Sequence, residues 1–226
     1  MKKQIRLNLG CGANYADGYI NVDAFMTPAD VGAFLSKGAE FVKADVRNLP
    51  FKKNFADYIE SVDMIEHIPM RNVLRVFQEI YRVLKPRGLM RIATTDFDGV
   101  ARDWLEASRE LEEAIRNKKD PTKVFDPRQQ IDDRSSWNEL VKPSVNKMMM
   151  IIYGNQTHQG EYHQNLFTES MMRMYLLAAG FKNKNIKIHR FTKGSLPPQM
   201  PAFPVPEEIV ASTVLISDEL IAEARK

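Results

Sequence analysis

The sequence holds one cysteine, Cys11, in 226 residues. That excludes a disulfide framework and a cysteine-built zinc site within one chain. Histidine is scarce as well, with four in all. No run reaches the roughly 18 apolar residues of a membrane-spanning helix. The start, MKKQIRLNLG, has two lysines but no apolar signal core. A cytoplasmic chain with no membrane contact is therefore expected. An excess of one charge is also nearly missing: 32 Lys and Arg face 29 Asp and Glu, for a net charge of +3. Binding a nucleic-acid backbone usually needs a clustered basic surface, and this charge is spread along the chain, so no nucleic-acid partner is expected.

What remains is an ordinary soluble composition, 44% hydrophobic and 27% charged, at a length that suits one domain over 1–226. Ile5 to Leu9 alternates apolar and polar residues and meets Gly10-Cys11-Gly12, which predicts a strand running into a glycine loop. Tyr19–Asp23, Glu40–Val46, Phe55–Val62 and Leu89–Thr94 read as further strands. Val31–Lys37 reads as a short helix. A longer helix follows Pro69, with Val73, Val76, Phe77, Ile80 and Leu84 at helical spacing, and Lys85-Pro86-Arg87-Gly88 is expected to stop it. Val100, Trp104, Leu111 and Ile115 mark another helix. Thr168 is a predicted N-cap for a helix over 169–179, closed by Gly180. Strands at 185–191 and 209–216 complete the pattern. Between the helices, 120–165 breaks the rhythm with prolines and polar residues, and reads as an insertion or lid within the domain. The fold class is α/β: a Rossmann-like, mostly parallel seven-stranded sheet with helices on both faces.

In such sheets ligands bind beyond the carboxyl ends of the strands. There the pattern places the glycine loop, then Asp23, then Asp45. Glycines let the backbone approach a ligand closely. An aspartate at a strand end can accept two hydrogen bonds from a ribose diol. Cys11, between the two glycines, suits a small filler of a tight turn better than a reactive thiol.

The segments LNLGCGANYADGYINVD (7–23), KADVRNLPF (43–51), FADYIESVDMIEHIP (55–69) and EIYRVLKPRGLMRIATTD (79–96) resemble the class I S-adenosylmethionine-dependent methyltransferases, in particular the type 11 group and its small relatives with a shortened first crossover. The resemblance resumes weakly at FTESMMRMYLLAAGF (167–181). It implies S-adenosyl-L-methionine as cofactor, with Gly10, Cys11 and Gly12 beside its methionine part. It implies Asp23 at the ribose, and Asp45 with the backbone of Val46 around the adenine. Ser61 and Asp63 would approach the amino group or the reacting methyl. His67 belongs to the family's EH pair, where a hydrogen-bonding role at the helix start is as natural as a catalytic one.

One departure stands out. Ten residues separate Gly12 from Asp23, and a parallel crossover with a helix needs a dozen or more. The first helix should be absent or a single turn. A nicotinamide dinucleotide needs that helix N-terminus for its pyrophosphate; S-adenosylmethionine carries no phosphate. The 120–165 insertion is expected to cover the side thus opened.

The densest polar cluster, Tyr153 to Asn165, includes His158, Glu161 and His163. Their spacing fits no strong metal signature, so no metal is expected. His163 is the first candidate for general base or acceptor hydrogen bonder, and His158 the second. The expected reaction is methyl transfer to an oxygen or nitrogen of a small molecule, with a sugar-like or secondary-metabolite acceptor preferred. The rivals are a non-catalytic cofactor-binding protein and a methyltransferase acting on nucleic acid or protein.

Overall fold

A computed structural model describes residues 4–12, 15–126, 145–154, 156, 159–191 and 218–226. Its sheet has seven strands: β1 (Arg6–Leu9), β2 (Ile20–Asp23), β3 (Glu40–Lys43), β4 (Ala56–Val62), β5 (Leu84–Thr95), β6 (Ile186–Phe191) and β7 (Glu219–Arg225). Their order is β3-β2-β1-β4-β5-β7-β6. The first five run parallel, and β7 lies antiparallel between β5 and β6. The chain winds outward from β1 to β3, then returns to place β4 on the other side of β1. The β1/β4 boundary is thus the switch point where open α/β sheets bind ligands.

Five helices accompany the sheet among the described residues: α1 (Pro28–Ser36), α2 (Met70–Val83), α3 (Phe97–Arg116), α4 (Val145–Tyr153) and α5 (Glu169–Ala179). The amphipathic pattern of α2 buries Val73, Val76, Phe77, Ile80 and Val83 completely. They join Leu7, Leu9, Ile59, Met90 and Ile92 of the sheet and Met172 and Leu176 of α5 in one core. Burying a side chain of this size contributes roughly 1.5–3 kcal/mol, so this layer is the main source of stability. Helix α5 begins and ends where its caps predict: the Thr168 hydroxyl accepts from the Met171 N–H, and Gly180 takes φ +111°. Helix α4 packs on α3 through Val100, Met148 and Ile151.

Three segments differ from the sequence reading. Helix α1 starts at Pro28, because Thr27 and Asp30 form a capping box with proline in the first turn. Helix α2 ends at Val83, and Leu84, expected in the helix, together with Lys85-Pro86-Arg87-Gly88 belongs to an irregular start of β5, opposite a register shift at Ala56/Tyr58. Proline is tolerated at such a bulge. The seventh strand is Glu219–Arg225, and the expected strand at 209–216 lies outside the described residues. Among the described residues no helix lies between β1 and β2, and none is long and apolar enough to cross a membrane.

Candidate functional site

The short crossover after β1 is held by hydrogen bonds instead of a helix. Gly10 takes φ +65° and Gly12 φ +48°. The N–H groups of Gly10 and Cys11 donate to the Val22 carbonyl, at 2.8 and 3.2 Å. Asn21, fully buried, binds the Ala16 N–H at 2.8 Å and accepts from the Asn8 amide at 3.0 Å. It fixes the turn that a helix would otherwise carry. The signal in the sequence is an asparagine between the two apolar residues of β2, Ile20 and Val22.

Asp23 organises the same loop. Its carboxylate accepts from Gly12 N–H at 3.0 Å, Phe25 N–H at 2.7 Å and Met26 N–H at 3.2 Å. It therefore stands directly beside the glycines, at the end of β2. A Cβ on Gly12 would have no heavy atom within 4 Å, so this glycine faces open space. A Cβ on Gly10 would fall 2.2 Å from Met64 Cγ, so Met64 from the β4 side closes down on the loop. Cys11 is buried against Met26, Phe34 and Ala39. Burial, reinforced by the Asp23 charge, pushes its thiol up to about 12, so it is a filler and not a nucleophile at neutral pH.

Asp45 follows β3 and chelates its neighbour: Arg47 Nε lies 2.9 Å from both carboxylate oxygens and Nη2 2.5 Å from one. The guanidinium holds this carboxyl below its usual range. Val46 is buried in the main core. Ser61 is fully buried and donates its hydroxyl to the Leu9 carbonyl at 2.9 Å, which ties β4 to β1 at the mouth of the loop.

Asp63 follows β4 in the left-handed region, φ +48°. A 3₁₀ turn over Ile65–His67 comes next. The far end of the 120–165 segment is stitched onto it. The N–H groups of Gln164 and Asn165 donate to the Glu66 carbonyl at 2.7 and 3.0 Å, and the Gln164 amide donates to the His67 carbonyl at 2.8 Å. This brings His163 against His67, with ring centroids 4.7 Å apart at 79°. His163 Nδ1 lies 2.7 Å from the Ile151 carbonyl and His67 Nδ1 3.3 Å from that of Tyr162. Burial lowers the pKa of both imidazoles, that of His67 to about 4. Glu66, 1% exposed, accepts from the Thr94 hydroxyl at 3.0 Å. Burial raises its carboxyl to about 7. His158 lies outside the described residues.

The glycine loop, Asp23, Asp63 and the two histidines thus gather around the β1/β4 switch point. A model described as a methyltransferase domain matches residues 7–92. Over that segment the chain is similar to the class I S-adenosylmethionine-dependent methyltransferases of the type 11-like group. Sterol 24-C-methyltransferase of Pneumocystis carinii is 44% identical over 55 residues, which are 24% of this chain and 14% of that protein. A tRNA (carboxymethyluridine(34)-5-O)-methyltransferase of Arabidopsis thaliana is 32% identical over 92 residues, 38% of this chain and 22% of that protein. The chain thus matches less than a quarter of the length of these curated relatives. A methyltransferase structure from Methanosarcina mazei aligns with TM-score 0.55 and 14% identity, over 100% of this chain and 93% of that one. A possible histamine N-methyltransferase from Thermotoga maritima aligns with TM-score 0.53 and 15% identity, over 100% and 84%. At 14–15% identity these likenesses show the fold alone.

Proposed function

We propose that the chain transfers the methyl group of S-adenosylmethionine to an oxygen or nitrogen of a small molecule, with a sugar-like or secondary-metabolite acceptor preferred. The observation that carries this reading is the convergence of the glycine loop, Asp23 and the His67–His163 pair at one switch point. The open space at Gly12 suits close approach of the cofactor's methionine part to backbone. Asp23, already fixed by loop N–H groups, has lone pairs left for the ribose hydroxyls. Asp45 and the Val46 backbone frame the adenine, and Ser61 and Asp63 line the β4 side. The missing first helix is no obstacle, since this cofactor brings no phosphate to a helix N-terminus. The cofactor supplies an electrophilic methyl group on a sulfonium.

The chain's own work is placement of the acceptor in line with that methyl group. Residues 120–165 act as the lid, within one domain over 1–226. In the described part of that lid, His163 serves the acceptor. Its Nδ1–H donates to the Ile151 carbonyl, so Nε2 keeps the lone pair. The ring is neutral at physiological pH because burial disfavours its charged form. Nε2 can therefore accept a hydroxyl proton, help typically worth about 10²–10⁴ in rate. His158 is the second candidate, by its place in the same polar stretch.

The test is incubation with S-adenosylmethionine and three acceptor pools: sugars, secondary metabolites and tRNA. A mass gain of one methylene in either small-molecule pool supports the proposal. A gain confined to tRNA moves the acceptor class. Binding of S-adenosylhomocysteine without any transfer leaves a cofactor-binding protein, and failure to bind it refutes the whole reading.

A further inference from the structure

Glu66, His67 and His163 each offer one ligand atom, and the three atoms lie within 4.8 Å of one another. We propose that these side chains form a binding site for one divalent transition-metal ion of the zinc, cobalt or manganese kind.

The hydrogen bonds decide which atoms are available. A backbone carbonyl can only accept, so the Nδ1 atoms facing Ile151 and Tyr162 carry the protons. In His163 this leaves Nε2 its lone pair; His67 lies against two backbone carbonyls, those of Tyr162 and Asp63, and gives up the second of these contacts to offer that ring nitrogen to the ion. Metal-binding histidines are held in this way, donating one ring N–H to a carbonyl or carboxylate while the other nitrogen binds the ion. The rings also suit a shared ion. Two imidazoles bound at about 2.1 Å to one metal hold their centroids roughly 5 Å apart; here the distance is 4.7 Å.

Glu66 completes the set. Its carboxyl is buried, and the groups acting on it are its own backbone and the Thr94 hydroxyl. Among the described residues no lysine or arginine forms an ion pair with it. A buried carboxylate is costly unless a cation meets it, and an ion between the imidazoles would be that cation. Thr94 orients the carboxyl as an outer partner orients a ligand.

The frame is stiff. Gly154, at φ +76°, allows the chain to fold back: a Cβ there would sit 1.9 Å from the Glu161 carbonyl oxygen and 3.0 Å from the His163 ring. The His163 N–H donates to the Tyr153 carbonyl at 3.1 Å, so the end of α4 holds both its backbone and its ring. One ion at about 2.1 Å from each ligand atom would bring the three atoms to roughly 3–3.5 Å of one another. Two nitrogens and one carboxylate favour zinc and its neighbours over calcium or magnesium. A coordination position remains open for water or for an oxygen of the acceptor. That last role rests on the methyl-transfer reading, and in the loaded protein His163 is a ligand, leaving the acceptor's activation to the ion. The binding site itself stands on the geometry.

The test uses tag-free, chelator-treated protein titrated with zinc by calorimetry and with cobalt(II) by visible absorption. One ion per chain is expected, with cobalt bands of a low-coordinate nitrogen site. His67→Gln, His163→Gln and Glu66→Gln should each weaken binding at least ~10-fold. If any of them fails to fold by circular dichroism, Thr94→Val serves in its place, since it removes only the hydroxyl that orients Glu66. Absence of stoichiometric binding in the parent protein, or unchanged affinity in the folded variants, overturns the proposal. S-adenosylhomocysteine affinity is measured on the same samples. Loss of that affinity with zinc binding intact counts against methyl transfer and leaves the ion site standing.

Discussion

Glu60 sits at the centre of the sheet, 0% exposed, between Asn8 of β1 and Arg91 of β5. The Tyr58 and Tyr19 hydroxyls are its nearest hydrogen-bonding side chains, and neither is close enough to satisfy the carboxylate fully. Burial raises this carboxyl from the ordinary 4.5 to about 7, although Tyr58 and Arg91 pull the other way. The sign follows from counting protons. Below pH 4.5 the group is neutral in folded and unfolded chains alike. Between 4.5 and 7 the unfolded chain loses the proton first, so folding weakens as pH rises. Above 7 the full penalty applies, and at 1.36 kcal/mol per pH unit it amounts to about 3 kcal/mol. Glu60→Gln keeps the shape and removes the titration. Relative to the parent, the variant should gain stability from near zero at pH 4 to about 3 kcal/mol at pH 8. Arg91 keeps its partner Glu223, at 2.5 Å, in both proteins. Urea unfolding across that pH range reads the difference directly. A stability difference that does not change with pH would refute the argument that burial dominates this carboxyl.

Asp23→Ala removes a carboxylate that meets three loop N–H groups. At about 1.5–3 kcal/mol per charged hydrogen bond, S-adenosylhomocysteine affinity should fall at least ~10-fold by calorimetry; unchanged affinity removes Asp23 from the ribose. Gly10→Ala places a methyl against Met64 at positive φ, so Tm should drop and cofactor affinity fall with it, while Gly12→Ala, strained by its own positive φ but facing open space, should lower Tm less than Gly10→Ala does and also cost affinity. Adding S-adenosylhomocysteine should slow hydrogen exchange across 145–165, and identical exchange with and without it rules out lid closure.

Several parts of this arrangement are plain in the sequence because local chemistry fixes them. Thr168 and Gly180 bound α5 through their own cap bonds. The glycine loop and Asp23 follow from strand-end placement, which needs no knowledge of distant residues. Strand β7 was hidden because Glu219, Glu223 and Arg225 break the apolar alternation, and Glu, Leu and Ala read as helix formers. In the sheet, Glu223 is neutralised by Arg91, a pairing visible only in the register. The Glu66–His67–His163 group was hidden for a related reason. His163 was singled out with His158 and Glu161, its neighbours along the chain. Its partners in space come from a turn nearly a hundred residues earlier, joined through the backbone bonds of Gln164 and Asn165. No spacing rule reaches that far.

The antiparallel strand also sets a timetable for assembly. Strands β1 to β5 and their helices emerge from the ribosome in an order that lets each pair with an earlier neighbour. β6 has no such neighbour. It is synthesised before β7, yet among the described residues β7 is its only partner in the sheet, and β7 must slot between β6 and an already formed β5. Until residues 219–225 arrive, the long inner edge of β5 offers unpaired backbone to any other nascent strand, a known route to association between chains. Refolding rate and yield should therefore depend more on the seven residues of β7 than on any other element of that length.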